Sequence, residues 1–240
     1  MEIKSKNNIG TIVALNYQTA AVFKKYGIDF CCNGNRSIKD ACDSKNIDSK
    51  ILIKELDEVN NQAISDHDYV SWDIGFLSDY IYNNHHKYVE KKIPEIKGYL
   101  DKLCKVHGNN HPELFEIQKL FSDGANELTV HMKKEEIILF PYFHKLAKAL
   151  EFKDHTFSSQ LKSIENPIAV MHKEHDNEGE RFRKIRKLTN NYTIPNDACG
   201  TYQVTFSLLK EFEEDLHKHI HLENNILFSK ALKIEKELSS

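Results

Sequence analysis

The sequence predicts an all-α protein. Its 240 residues include only 9 Gly and 5 Pro, so turn-forming residues are sparse. Long stretches rich in Lys, Glu, Leu and Ile favour helix over strand, and their apolar residues recur every three or four positions, the spacing of one helix face. With 40% hydrophobic and 29% charged residues, the composition is that of a globular chain rather than a disordered one.

The first 62 residues predict a small helical domain. A helix from Thr11 to Gly27 ends at a glycine C-cap, and two short helices follow a loop, with Ser37 and Asp48 as N-caps. Such a domain is too small to be very stable alone. The polar residues 60–68 are interpreted as its exit linker, which sets the domain boundary between residues 62 and 63.

Residues 63–240 predict four long helical segments joined by short polar loops, which is the pattern of an up-and-down four-helix bundle. The segments run from about Val70 to His107 with a bend or break near Pro94, from Pro112 to Pro141 or on to Leu150, from Pro167 to about Leu188, and from about Asp197 to Glu237.

Two similar decapeptides occur in this bundle. HMKKEEIILF (131–140) and HIHLENNILF (219–228) share the His, the Glu and the final Ile-Leu-Phe. Residues four apart lie on one helix face, so His131 and Glu135, like His219 and Glu223, point to a common spot. The apolar pattern assigns both pairs to the core; for the first it is the series Ile117, Phe121, Gly124, Leu128, His131, Glu135, Ile138.

Two further histidines fit the same scheme. His175 lies in the middle of the apolar series Ile168 to Ile185, and the steps from residue 86 to 131, 131 to 175 and 175 to 219 are 45, 44 and 44 residues. Near-equal steps bring four histidines to one level of an up-and-down bundle. The apolar period leaves open whether His85 or His86 points inward.

These residue types predict a metal site. A single core histidine is usually a hydrogen-bonded one, but a buried glutamate is costly unless it is paired or metal-bound. Four imidazoles and two carboxylates are too many for one tetrahedral zinc and the wrong set for calcium. They suit two iron or manganese ions, each with two histidines, with Glu135 and Glu223 shared.

Other features exclude several classes of protein. A net charge of −3 with interspersed signs argues against a nucleic-acid-binding surface. No apolar run approaches the roughly 18 residues that span a bilayer, and the N-terminus has no signal-peptide core, so we expect a cytoplasmic protein without a membrane partner. The five cysteines include no C-x-x-C pair, which indicates reduced thiols rather than disulfides or a zinc ribbon.

The series His86, His131, Glu135, His175, His219 and Glu223 resembles the hemerythrin-like di-iron domain. The preceding AVFKKYGIDFCCNG resembles the cysteine-bearing N-terminal domain of the RIC-type iron-sulfur cluster repair proteins. The resemblance implies that His86, eight residues before Pro94, is the ligand of its pair. It also implies an oxo-bridged centre with two iron ions per chain, a homodimer, damaged iron-sulfur proteins as partners, and nitric oxide or dioxygen as small ligands.

The cysteine motif departs from that family. The chain reads Cys31-Cys32-Asn33-Gly34 where the family usually reads CCGG. Asparagine tolerates a left-handed backbone better than most residues, which would preserve the turn. If Cys31 and Cys32 are functional rather than inert thiols, they are suited to accept iron or a nitrosyl group.

Two classes of function follow. The first is a protein that repairs iron-sulfur clusters damaged by oxidative or nitrosative stress, by iron donation, by nitric oxide reductase-type redox activity, or by both. The alternative is a hemerythrin-like protein that binds or senses dioxygen or nitric oxide. The cysteine-bearing domain favours the first, and the histidine-rich ligand set disfavours a ferritin-like oxidase, whose sites are carboxylate-rich.

Overall fold

The computed structural model describes residues 2–62, 68–153 and 163–239. Over these ranges the chain is helical, with one isolated bridge between Asn8 and Ser37 in place of any strand, so the all-α prediction is confirmed. The helices are α1 (Ile9–Leu15), α2 (Thr19–Lys25), α3 (Ile38–Asp43), α4 (Ser49–Gln62), α5 (Ile74–Ile81), α6 (Lys87–His107), α7 (Glu113–Lys134), α8 (Phe140–Glu151), α9 (Glu165–Leu188), α10 (Gly200–Leu222) and α11 (Phe228–Leu238).

Three π-helical segments of five residues each interrupt the long helices in the described ranges. They are π1 (Tyr82–His86) between α5 and α6, π2 (Glu135–Leu139) between α7 and α8, and π3 (Glu223–Leu227) between α10 and α11. Each joins its two neighbours into one continuous helix. The four long segments predicted from the sequence therefore correspond to α5–α6, α7–α8, α9 and α10–α11.

The chain divides into two compact units. Among described residues, the first unit comprises the chain up to Leu77, Leu146 to Lys153, and the chain from Ile220 onward; the second comprises Ser78–Lys145 and Ser163–His219. The predicted domain boundary stays a prediction, because residues 63–67 of the linker lie outside the described ranges. None of the helices described combines the length and the apolar character needed to cross a membrane.

In the first unit, the helix predicted from Thr11 to Gly27 is wrong, because the chain turns between α1 and α2. The side chain of Asn16 accepts a hydrogen bond from the Gln18 backbone N–H at 3.1 Å, and the Thr19 hydroxyl donates to the Asn16 carbonyl at 2.7 Å. Such local bonds compete with the helical ones. Gly27 does end α2, with φ of 63°.

The two predicted N-caps of this unit are confirmed. Ser37 and Asp40 form a reciprocal capping box at the start of α3. Asp48 accepts the backbone N–H of Lys50 at 2.8 Å, at the start of α4.

The second unit is an antiparallel bundle of α6, α7, α9 and α10. Side-chain pairs run in opposite directions along neighbouring helices, as between α6 and α7, where Lys97 bonds Asn126 and Gln118 bonds Asp101. The Phe212 ring of α10 lies at the centre of one core layer. Its centroid is 6.3, 5.4 and 5.7 Å from those of one ring on each of the other helices, namely Tyr88, Phe121 and Phe182.

The π segments correct two predictions. The predicted break at Pro94 is wrong, because Pro94 lies inside α6 and the α-helix is interrupted at π1 instead; the alternative of a bend at Pro94 stays a prediction. Ile138, predicted to be in the core, is 46% exposed, whereas Leu139 is 2% exposed. A π segment places one extra residue in the turn, so the buried face moves on by one position beyond it.

Candidate metal centre

Each of the three π segments contains a predicted ligand at one end. His86 is the last residue of π1, Glu135 is the first of π2, and Glu223 is the first of π3. Segments of this kind are rare and occur frequently at functional sites, because the widened turn re-aims a side chain. The helices therefore depart from ideal geometry at the level where the predicted ligands lie.

The π1 segment explains why the apolar period leaves open whether His85 or His86 points inward. Both imidazoles are buried, because the extra residue in the turn brings two consecutive positions to the interior. They have different contacts. His86 Nε2 lies 3.5 Å from Glu135 Oε2, whereas His85 Nδ1 bonds Asp215 Oδ1 at 2.9 Å.

Five of the predicted ligands come together in the second unit. His86, Glu135 and His219 offer ligand atoms within 4.8 Å of one another, and so do His131, Glu135 and His175. The Nε2 atoms of His131 and His175 are 2.9 Å apart, and His131 Nε2 is 3.4 Å from Glu135 Oε2. Glu135 belongs to both groups.

The surroundings of Glu135 fit a pair of metal ions. Its side chain is 0% exposed, and neither carboxylate oxygen accepts a hydrogen bond from the described part of the chain. A buried carboxylate without such bonds costs several kcal/mol unless a cation compensates its charge. Imidazole nitrogens at 3.4 and 3.5 Å from the same oxygen leave room for cations between nitrogen and oxygen.

Glu223 follows His219 by one turn of the same helix, and its side chain is also 0% exposed. Its role as the second shared carboxylate stays a prediction.

Two further glutamates bond two of the predicted ligand histidines. His86 Nδ1 bonds Glu136 Oε1 at 3.1 Å, and His131 Nδ1 bonds Glu174 Oε2 at 2.7 Å. An imidazole that donates its Nδ1–H to a carboxylate presents Nε2 as the free electron pair for a metal. Sequence reasoning missed both glutamates, although each is adjacent in sequence to a predicted ligand.

Two lysines pair with these two glutamates. Lys133 bonds Glu136 at 2.5 Å, and Lys134 bonds Glu174. Burial raises the pKa of Glu174, but the hydrogen bonds from Lys134 and His131 hold it below its ordinary value. The group is therefore an anion that favours the Nδ1–H form of His131.

The cysteine pair lies in the first unit, in the loop between α2 and α3. Cys31 is buried and Cys32 is half-buried, and none of the five cysteines forms a disulfide, all of them being in the described ranges. Asn33 is not among the described residues with positive φ, so the left-handed backbone considered for it from the sequence does not arise. Its side-chain amide instead donates to Asp29 Oδ2 at 2.9 Å.

Cys199 is an exposed thiol with a lowered pKa that the sequence did not single out. It lies just before α10, is exposed, and its Sγ is 3.2 Å from His107 Nε2. The hydrogen bond with His107 lowers the pKa of the Cys199 thiol to about 7. Thiols with a depressed pKa are the reactive ones, because the thiolate is the nucleophile.

We predict that the alkylation rate of Cys199 rises with pH through a midpoint of about 7. In His107→Ala the midpoint should move up toward the ordinary thiol value of about 8.5. Iodoacetamide labelling with peptide mass spectrometry measures both, with Cys104 as the internal control because burial raises its pKa. An unchanged midpoint in His107→Ala would assign the effect to backbone N–H groups instead.

The comparisons with known proteins cover both parts of the chain. Residues 5–60 match the family ScdA_N, described as "Domain of Unknown function (DUF542)", and residues 78–231 match "Hemerythrin HHE cation binding domain". The chain is 33% identical over 228 residues to the iron-sulfur cluster repair protein ScdA of Staphylococcus haemolyticus, covering 95% of this chain and 99% of that protein. It is 31% identical over 233 residues to ScdA of Staphylococcus epidermidis, covering 95% and 99%.

A relative from another bacterial genus is similar to this chain over a comparable length. The iron-sulfur cluster repair protein YtfE of Yersinia pseudotuberculosis is 31% identical over 228 residues, covering 95% of this chain and 97% of the relative. Both parts of the chain are thus matched over nearly the full length of these proteins. The chain belongs to the family of iron-sulfur cluster repair proteins that join an ScdA_N domain to a hemerythrin HHE domain.

Proposed function

We propose that this protein repairs damaged iron-sulfur clusters with two iron ions held by the predicted ligands. The supporting observation is the buried Glu135 carboxylate, which lies between imidazole nitrogens and accepts no hydrogen bond from the described residues. His86 and His219 would hold one ion and His131 and His175 the other, and Glu135 and Glu223 would be shared between the two ions.

Side chains of this protein orient two of the proposed ligands. Glu136 and Glu174 fix the rings of His86 and His131 through Nδ1, so that both Nε2 atoms face Glu135. Burial of the ligands keeps water from competing for the coordination positions. When bound, the iron pair supplies redox chemistry toward small ligands such as nitric oxide, and a store of iron.

The alternative function is binding or sensing of dioxygen or nitric oxide. Repair is favoured because the chain combines the ScdA_N match, which contains Cys31 and Cys32, with the hemerythrin HHE match, and because it is similar along nearly its whole length to proteins named iron-sulfur cluster repair proteins. The proposal includes action in the cytoplasm, as a homodimer, on damaged iron-sulfur proteins. Iron donation and nitric oxide chemistry are the two routes that it includes.

A reactivation assay tests the proposal. An iron-sulfur enzyme inactivated by nitric oxide is incubated with this protein loaded with a stable iron isotope, and both enzyme activity and isotope in the enzyme are measured. We expect activity to return. Isotope in the restored cluster indicates donation, whereas restored activity without isotope indicates redox chemistry.

Two controls accompany the assay, namely an equal amount of free iron and the Glu135→Ala variant. Reactivation no faster than with these controls would contradict the repair function. Reversible gas binding without reactivation would support the carrier or sensor instead.

A further inference from the structure

A second group of candidate ligands lies in the loop between α2 and α3. Asp29, Cys31 and Cys32 offer ligand atoms within 4.8 Å of one another. Asp29 and Cys32 are half-buried, so an ion can reach the group from solvent. Only the two thiols were singled out in the sequence; the carboxylate is added by the fold.

The spacing of these atoms suits a single ion. The two Sγ atoms are 3.8 Å apart, and Cys31 Sγ is 3.4 Å from Asp29 Oδ1. In a tetrahedral site with metal–sulfur bonds of about 2.3 Å and metal–oxygen bonds of about 2.1 Å, the sulfurs are about 3.8 Å apart and sulfur and oxygen about 3.6 Å. Little movement is needed for all three atoms to bind one cation.

The Asp29 carboxylate is held in place by its neighbours. Oδ1 accepts the backbone N–H groups of Cys31 and Cys32 at 3.1 and 3.0 Å, and Oδ2 accepts the Asn33 amide at 2.9 Å. Ligating carboxylates are typically oriented by bonds of this kind.

The loop itself is fixed by the last long helix. The Cys31 carbonyl accepts the side-chain amides of Asn224 and Asn225, each at 3.3 Å. Asn225 also donates to the Phe30 carbonyl at 3.3 Å. A metal site on a loop needs such support to keep its ligands in position.

A divalent cation would balance most of the charge of the group. Two thiolates beside one carboxylate would carry three negative charges. A divalent cation compensates two of them; its binding forms two metal–sulfur bonds and releases two thiol protons to solvent.

We propose that Asp29, Cys31 and Cys32 form a mononuclear site for a divalent thiophilic cation. Two thiolates and a carboxylate suit Fe²⁺ or Zn²⁺, and the fourth coordination position is open to a ligand from outside the group. Fe²⁺ is the physiological ion in this proposal, and that choice alone rests on the proposed function. Asn33 is a positioning residue that orients Asp29.

Cobalt(II) titration of the iron-loaded full chain tests the site. The iron occupies the histidine site, and a Cys199→Ser background removes the thiol paired with His107. We expect about one cobalt per chain with a sulfur-to-cobalt charge-transfer band in the near ultraviolet. Cys31→Ala and Cys32→Ala should abolish the band. Cys42→Ser, at a buried thiol elsewhere in the first unit, should leave it unchanged.

Two variants separate the roles of ligand and positioning residue. Asp29→Asn should weaken cobalt binding more than 100-fold, and Asn33→Gly about 10- to 100-fold, as for removal of outer-shell partners in other metal sites. Circular dichroism of each variant checks folding, and the half-buried Cys32 is the substitution least disruptive to packing. A band that survives Cys32→Ala in a folded protein, or unchanged affinity in Asp29→Asn, overturns the proposal.

Repair activity measured on the same samples keeps the two proposals distinct. Reactivation of a damaged enzyme without a sulfur-bound cobalt site overturns this inference and leaves the proposed function intact. A sulfur-bound site in a chain that reactivates nothing supports the inference and contradicts the proposed function.

Discussion

Glu135→Ala should lose nearly all bound iron, with an affinity loss of at least about 100-fold, since even outer-shell changes at metal sites cost 10- to 100-fold. The carboxylate belongs to both ligand groups, so both ions lose a ligand at once. A 100-fold loss of affinity corresponds to about 2.7 kcal/mol of stability in the loaded protein. Iron analysis of protein from iron-replete cells and thermal unfolding measure the two effects. Glu223→Ala should behave in the same way.

The metal-free form provides the sharper test of this residue. Without iron, Glu135→Ala removes a buried carboxyl group that accepts no hydrogen bond from the described residues, so the variant should be as stable as the parent or more so. Glu178→Gln is the matched control, because Glu178 is buried in the same bundle but pairs with Arg181 at 3.1 Å. The Glu178→Gln variant should keep its iron. Equal destabilisation of Glu135→Ala with and without iron would make Glu135 a packing residue rather than a ligand.

Gly34→Ala should destabilise the first unit by about 1–3 kcal/mol, the usual cost of overpacking. A Cβ on Gly34 would lie 2.3 Å from the Phe30 carbonyl oxygen and 3.1 Å from the Gly10 Cα. These neighbours are backbone atoms and cannot move aside, and the Gly10 N–H bonds the Gly34 carbonyl at 2.7 Å. Protection of the buried Cys42 thiol from alkylation in urea reports the stability of this unit.

Gly98→Ala is the control for this substitution. Gly98 lies inside α6 with nothing within 4 Å of an added Cβ, so alanine should stabilise that helix by about 0.5–1 kcal/mol. A Gly34→Ala protein whose Cys42 is as well protected as in the parent would contradict the close approach of the two backbones.

The helices were predictable because their signals are local. Caps such as Ser37, the glycine at position 27 and the three-and-four spacing of apolar residues depend on neighbours within a few positions. The turn between α1 and α2 was missed because the apolar spacing continues through it. There the side-chain bonds of Asn16 and Thr19 outweigh the helical pattern.

The candidate ligands could be picked out from the sequence because they recur at repeated spacings along four helices. Their supporting residues were harder to find, because the bond from Glu174 to His131 crosses from one helix to another and has no fixed spacing. The choice between His85 and His86 had no answer in periodicity, since π1 brings both inside. Asp29 was missed because its role depends on how the loop folds back on itself.

Each of the three π segments shifts the periodicity of buried positions in the long helix that contains it. Each extra residue moves the buried face by about 100° on a helical wheel. The buried positions before a predicted ligand and those after it therefore do not follow one continuous count. Such a helix behaves as two amphipathic helices joined end to end, and the junction lies at a predicted metal ligand. A heptad count that starts on one side of a π segment therefore fails on the other side. Substitutions on the two sides must be assigned to core or surface by separate counts.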